Sequence, residues 1–409
     1  ASQQARRRVG RLDSGMSALL PLDQAQQRLI ALASRLPAET LAIDAALGRY
    51  LAADLIARRE QPAADMSAMD GYAIRFADRD GPWTLVGECR AGSPPCAALK
   101  PGETARIFTG ALLPEGADTV VMQENVAADG STIRLTADPS PEKGRHVRHR
   151  GSDFARGSID LPAGSLLNPA ALGHAVIAGH GELSVGQRPR VALVSTGDEL
   201  VAPGSDTLLH QIPASNDVML SAMLSGLTSE TRSLSRIPDD MDILCEALAS
   251  ARDCDLIVTI GGASVGDHDL VGPAFRQLGA EIDFYKIAMK PGKPVMAGKW
   301  GETVILALPG NPASAFVSAT VLLLPLLRYM AGAAHCLPVY QSAPTTEALP
   351  AVGPRAQFLR SRVDSSGITP FPSQDSAKLS VLAAANALLY RPADADGTEA
   401  GAMVPYIAI

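Results

Sequence analysis

Apolar and polar positions change period several times along the 409-residue chain, and each change marks a different kind of element. Ala25, Leu29, Leu32 and Leu36 recur at intervals of three and four, so the spacing predicts helix across Leu22 to Arg58. From Gln61 to Arg150 the rhythm shortens. Runs such as Trp83-Thr-Leu-Val-Gly87, Ala105-Arg-Ile-Phe-Thr109, Thr119-Val-Val-Met122 and Thr132-Ile-Arg-Leu135 alternate with Gly and Pro turns, the pattern of a small all-β unit. Residues Gly151 to Gly186 return to mixed short elements. The β unit, 61–149, therefore reads as an insertion into a discontinuous N-terminal domain, 16–60 and 150–188.

The next section, 189–333, has the plainest architecture. Apolar strands Val191–Ser195, Asp255–Ile260 and Thr303–Leu308 alternate with helical stretches near Asn216–Leu224, Met241–Arg252, Val271–Leu278 and Pro312–Tyr329, which predicts a doubly wound α/β domain on a parallel sheet. After Ala333 short strands and prolines predict a small C-terminal β-barrel or sandwich, 334–409. The longest apolar run, Ala315 to Leu327, contains Pro325 and is shorter than the roughly twenty residues a bilayer demands, so it reads as a buried helix.

Composition narrows the function. A net charge of −7 and a pI near 5.6 argue against a nucleic-acid surface, so any basic site must be local. Arg6-Arg7-Arg8 with Arg11 lacks the apolar run of a signal peptide and reads as a tail. Cys89, Cys96, Cys245, Cys254 and Cys336 form no C-x-x-C pair, which predicts neither zinc nor a disulfide framework and fits a cytoplasmic setting with no membrane partner. His146 and His149 lie in a basic run without acidic or cysteine partners at metal spacing and read as a solvated loop.

In an open α/β sheet, ligands bind beyond the carboxyl ends of the strands. Three unusual loops fall there. Ser195-Thr-Gly-Asp-Glu-Leu200 offers Thr196 and Gly197 as donors; Gly261-Gly-Ala-Ser-Val-Gly-Asp-His-Asp269 and Leu308-Pro-Gly-Asn-Pro-Ala-Ser314 each lead into a helix, where N–H groups favour phosphate. Glu199, the pair Asp239-Asp240, Asp267 and Asp269 are oxygen donors suited to a hard cation such as magnesium bridging to phosphate. In Ile282-Asp-Phe-Tyr-Lys-Ile-Ala-Met-Lys-Pro-Gly-Lys-Pro294, Lys286 and Lys290 stand four apart, so on a strand they would face one side and converge on an anion.

The set Asp65-Met-Ser-Ala-Met-Asp-Gly-Tyr-Ala-Ile-Arg75, Phe108-Thr-Gly-Ala, Arg150-Gly-Ser-Asp153, Ser195-Thr-Gly-Asp-Glu-Leu200, Gly261-Gly-Ala-Ser-Val-Gly266, Lys290-Pro-Gly-Lys-Pro294 and Leu308-Pro-Gly-Asn-Pro312 resembles the molybdopterin molybdenumtransferase (MoeA) family, which includes the gephyrin E domain. The resemblance spans about three hundred residues and makes the α/β unit MogA-like. It implies a magnesium-dependent transferase of molybdenum cofactor biosynthesis that takes molybdate and adenylylated molybdopterin, releases AMP and places molybdenum on the pterin dithiolene. By that likeness Lys286, Lys290, Asp65, Asp153, Glu199 and Asp240 are catalytic, and Glu199, Asp240 and Asp269 hold the metal, with Asp239 beside them. Substrate contacts fall to Ser67, Asp70, Thr109, Thr196, Gly197, Gly261, Gly262, Ser264, Gly266, Pro309, Gly310, Asn311, Pro312, Ser314 and Ser376, with Ser373 near by; Lys293 supports the turn.

The family forms elongated homodimers in which the β-rich insertion of one subunit faces the cleft of the other, and its partners include the molybdopterin adenylyltransferase and apo-molybdoenzymes. Two positions depart from the family pattern: Met66 stands where Asn is frequent, and Ser152 where Glu is common. Two other functions fit parts of the chain. An adenylyltransferase shares the Gly-Gly loop but needs the α/β unit alone, and a gephyrin-type scaffold would need no lysine chemistry.

Overall fold

The computed structural model describes residues 19–136, 141–261 and 270–409. Val191 to Thr196 are all buried, and an uninterrupted buried strand requires cover on both faces. The α/β domain provides it. Its sheet comprises β1 (Arg190–Thr196), β2 (Glu230–Ile237), β3 (Leu256–Ile260), β4 (Glu281–Tyr285), β5 (Met296–Trp300) and β6 (Thr303–Leu308), in spatial order β2-β1-β3-β6-β5-β4. Strand β5 alone runs against its neighbours β6 and β4, since the short Gly301-Glu302 link joins it to β6 as a hairpin; the expected parallel sheet thus carries one reversed strand.

Alternation along β1 splits the core into two layers. Val191 and Leu193 pack with α1 (Ser215–Leu224) and the helical segment Pro312–Met330; Ala192 and Val194 pack with α2 (Met241–Ser250) and α3 (Val271–Gln277). The segment Pro312–Met330 is long and apolar enough to cross a membrane, yet 78% of its apolar window is buried in this core. A polar or charged residue at Val317 or Leu326, both fully buried, would therefore disrupt the domain and not a membrane contact.

The first helix occupies Leu22–Leu32 and stops there, although the apolar spacing predicted helix to Arg58. Pro37 follows, and residues Ala38–Ala42 instead pair antiparallel with Glu182–Gly186. Its buried face, Leu22, Ala25 and Leu29, joins the core layer of the α/β domain. Leu55–Ile56 pairs with Ile159–Leu161, so the segments flanking the insertion meet as one unit, closed by helix Pro169–Ile177 whose cap Asn168 accepts from Ala171 N at 2.8 Å.

The inserted unit is a six-stranded sheet around the buried Trp83. Its loop after Cys89 folds back and brings Cys96 into a disulfide with Cys89, Cα–Cα 5.6 Å, a pairing the sevenfold spacing did not announce. The C-terminal unit joins Gln341–Pro344, Ala356–Asp364, Gly367–Pro370, Ala387–Arg391 and Met403–Ala408, and a Thr345–Ile368 bridge curls its sheet toward a barrel. A sixth strand comes from outside. Met289–Lys290 pairs parallel with Ala356–Gln357, tying the lysine segment to the C-terminal sheet.

Candidate functional site

A cleft of about 780 Å³ opens where β1, β3 and β6 end, the position expected of an open α/β sheet. Of the residues expected from sequence, it gathers Thr196, Gly197, Glu199, Gly261, Pro309, Gly310, Asn311 and Pro312. The chain turns sharply at each strand end. Gly197 adopts φ +146°, and a Cβ there would sit 2.5 Å from the Glu199 carboxylate, so glycine lets that acid fold back over the strand end. The wall also includes Ser195, which opens the first strand-end motif, together with Asp239 and with Asn216 and Asp217, which belong to none of the motifs.

Asp240 has another task. Its Oδ1 accepts from the N–H groups of Asp242 and Ile243, both at 3.0 Å, which makes it the N-cap of α2, whereas its neighbour Asp239 reaches the cleft. Asp239 N in turn donates to Asp198 Oδ1 at 3.1 Å. Among the described residues no three acidic, histidine or cysteine side chains gather as a metal site. Gly262, Ser264, Gly266, Asp267 and Asp269 lie outside the described residues.

The lysines are arranged differently from the period-two expectation. Strand β4 ends at Tyr285, Lys286 takes φ +69° with its ammonium 5.0 Å from the Tyr285 ring centre, and Lys290 belongs to the strand paired with Gln357. They share a loop and not a strand face. The loop closes on itself through Lys286 N to Val295 O and Ile287 N to Lys293 O, both 2.9 Å, and places Pro294 on the cleft wall while Lys290 and Lys293 remain exposed.

The C-terminal unit closes one end of the cleft with Ala377 and Leu379. Ser376 offers its carbonyl to Ala313 N, 3.0 Å away in the first turn of the Pro312 helix, next to the buried Ser314. Beneath this loop lies Arg360, which sequence reasoning missed. It is fully buried, donates from Nη2 to Asp375 O at 3.3 Å, and leaves Nε and Nη1 without partners; burial lowers its pKa. Nothing in the local sequence distinguishes Arg360 from the exposed Arg362 two positions on.

Five more expected residues lie apart from the cleft, on and beside the inserted unit. Asp70 accepts from Thr109 N at 2.7 Å and Thr109 Oγ1 at 2.8 Å, and these bonds hold its carboxyl below the usual range. Asp65 accepts from Arg150 N at 2.8 Å with His149 Nδ1 at 3.3 Å, and Asp153, anchored by its N–H on Gln61 O at 2.9 Å, keeps an exposed side chain. Ser67 differs: it is fully buried, and its hydroxyl donates to Met69 O at 2.6 Å, a turn-shaping contact.

Three family patterns cover the chain in order: the MoeA N-terminal region (domain I and II) over 20–179, the probable molybdopterin binding domain over 192–329, and the MoeA C-terminal region (domain IV) over 342–409. The molybdopterin molybdenumtransferase 2 of Mycobacterium tuberculosis is 35% identical over 377 residues, 88% of this chain and 93% of that one. The Staphylococcus aureus molybdopterin molybdenumtransferase is 30% identical over 400 residues, 95% of each. The crystal structure of the molybdopterin biosynthesis moeA protein from Pyrococcus horikoshii OT3 superposes with a TM-score of 0.83 at 26% identity, covering 96% of this chain and 100% of that one. On these matches, which run through every domain, the chain belongs to the MoeA family of molybdopterin molybdenumtransferases.

Proposed function

We propose that the protein inserts molybdenum into molybdopterin, using adenylylated molybdopterin and molybdate and releasing AMP. One observation carries the reading: the cleft at the carboxyl ends of β1, β3 and β6 is of ligand size, and a fully buried guanidinium with two unpaired nitrogens lies beneath its C-terminal wall. A buried cation with free donors calls for an anion. Molybdate, a tetrahedral dianion, suits that chemistry, as do Lys286 and Lys290 on the neighbouring loop. Thr196, Gly197, Gly261, Gly310 and Asn311 would bind the phosphate-bearing part along the strand ends, where backbone N–H groups and the helix at Pro312 favour negative charge.

In this reading the cations stabilise charge as the phosphoanhydride opens and the oxyanion transfers, which is electrostatic work and needs no covalent step on the protein. Magnesium is part of the same expectation, yet the described residues do not assemble its site. Asp240 commits its Oδ1 to a helix cap, so of the described carboxylates that line the cleft, Glu199 and Asp239 would hold the cation. Asp65, Asp70, Thr109 and Asp153 complete the site in our reading as contributions from a second subunit of a homodimer, since none of them lines the cleft of its own chain. A cytoplasmic enzyme receiving substrate from an adenylyltransferase and delivering cofactor to apo-molybdoenzymes fits this role.

The test is insertion itself. Purified protein is given adenylylated molybdopterin and molybdate, and AMP and molybdenum cofactor are measured; stoichiometric appearance of both is expected. Accumulation of adenylylated product from molybdopterin and ATP without molybdate would instead identify an adenylyltransferase.

A further inference from the structure

The disulfide of the inserted unit, Cys89–Cys96, belongs neither to the cleft nor to the proposed chemistry. Cys89 ends the strand Trp83–Cys89 and is 2% exposed within an apolar cluster, whereas Cys96 is half-buried and the loop residues Ala91 to Pro95 are exposed. Among the described residues, Ala91 to Ala98 make one hydrogen bond, Ser93 N to Arg90 O at 3.2 Å, and it lies within the loop itself. The chain is next fixed at Leu99, whose N–H donates to Glu115 O at 2.8 Å. The disulfide is therefore what fastens this loop to the sheet. The loop rests on Phe108–Gly110: Phe108 N donates to Cys89 O at 3.2 Å, and at Gly110, φ +81°, a Cβ would stand 3.7 Å from that of Ala91. Between these two points Thr109 presents the N–H and hydroxyl that hold Asp70.

We infer that the Cys89–Cys96 bond is a redox-responsive clasp, which holds the Thr109–Asp70 corner in place when closed and slackens it on reduction. The chemistry is thiol–disulfide exchange. One thiolate of an external dithiol attacks Cys96 Sγ, the sulfur on the more exposed residue, and Cys89 departs as a thiolate and takes up a proton. The reagent's second thiolate then attacks its own sulfur in the mixed disulfide and releases Cys96. Two electrons and two protons thus pass to the protein, and the dithiol leaves as a disulfide. Glutathione disulfide reverses the exchange. The closed bond restricts the conformations of the detached loop and so lowers the population of an open corner. In the cytoplasmic setting of the proposed function, an accessible disulfide of this kind responds to the thiol pool and does not act as a permanent staple. The consequence for insertion rests on that function, in which Asp70 and Thr109 serve the site of a second subunit.

Amide hydrogen exchange of the full chain, oxidised with glutathione disulfide or reduced with dithiothreitol, tests the clasp without any substrate. After denaturation the oxidised protein should offer three thiols to alkylation and the reduced protein five. Exchange across Phe108–Ala111 is expected to rise about tenfold or more on reduction, while the strand Thr132–Leu135 of the same sheet keeps its protection. Cys96→Ser should show the raised exchange permanently, with no response to dithiothreitol. Equal exchange in the two redox states overturns the inference, as do five alkylated thiols in the oxidised protein or a response to dithiothreitol in Cys96→Ser. Loss of protection throughout the sheet on reduction also overturns it, since the bond would then be a structural staple. In the insertion assay reduction should slow AMP release about tenfold, and glutathione disulfide should restore it. Release that stays constant while exchange rises overturns the clasp's role. A protein that releases no AMP in either state refutes the proposed function, whereas the exchange result stands independently of it.

Discussion

Replacing Arg360 with methionine separates anion binding from fold maintenance. In the ligand-free protein the guanidinium is fully buried, and Nε and Nη1 have no partners. A buried donor left unpaired is destabilising by about 1–3 kcal/mol, so the two together amount to roughly 2–6 kcal/mol held in reserve for a ligand. Methionine fills a similar unbranched volume without any donor. The backbone contacts survive the change, because Arg360 N and O pair with the Gln374 side chain, both at 3.0 Å. Arg360→Met should therefore raise the thermal midpoint of the ligand-free protein.

The same substitution should abolish the response to molybdate. A ligand at a hundred times its Kd stabilises the native state by about 2.7 kcal/mol, and that increment is read directly by thermal unfolding with and without the anion. Wild-type protein is expected to show it and Arg360→Met to show almost none. A variant that melts below wild type without ligand, or one that keeps the full molybdate shift, would refute the view that Arg360 waits for an anion.

Other consequences are accessible to single variants. Thr109→Val removes one of the two donors on Asp70, so the Asp70 carboxyl should titrate closer to its ordinary value in carboxylate NMR. Because the folded-state pKa is depressed, the ordering Asp70 gives the loop is present above the unfolded value of about 3.9 and is lost as pH falls through the folded value. Gly292→Ala introduces a Cβ 2.3 Å from Met289 Cε and 2.6 Å from Ser318 Oγ at φ +104°, and the strain of about 1–3 kcal/mol should appear as a lower thermal midpoint. Lys290→Ala should slow insertion about a hundredfold while Lys293→Ala leaves it near wild type, a contrast measured by AMP release.

The alternation of chain character sets the β-rich stretch apart from the α/β stretch because period, turn residues and apolar runs are local signals. The strand-end loops were legible for the same reason: Thr196, Gly197, Glu199, Gly261 and Gly310 follow apolar strands, and the chain must deliver them to one sheet edge. Residues whose role depends on distant partners were not legible. Arg360 becomes an orphaned cation when the 371–377 loop folds over it, and Asp217 is held by serines 22 and 18 positions away. The helical spacing misled beyond Leu32, because a proline and pairing with Glu182–Gly186, far along the chain, override local periodicity.

The lysine segment shows how spacing alone can misread geometry. Four-residue spacing aligns side chains on a continuous strand, but the strand ends at Tyr285 and a new one begins at Met289 in a different sheet. Lys286 is thereby placed by the α/β domain and Lys290 by the C-terminal sheet, through the Met289–Ala356 and Lys290–Gln357 register and the Ala356 N to Ala288 O bond at 2.9 Å. Arg360 belongs to the same long strand as Gln357, so two of the three cations are carried by the C-terminal unit and move with it. Any tilt of that unit against the α/β sheet changes the spacing between Lys290 and Lys286 while leaving Lys290 and Arg360 in fixed relation. In the proposed function the anion site would be a joint between two domains, and its affinity for a small tetrahedral dianion would be set by how firmly the shared strand holds them in register.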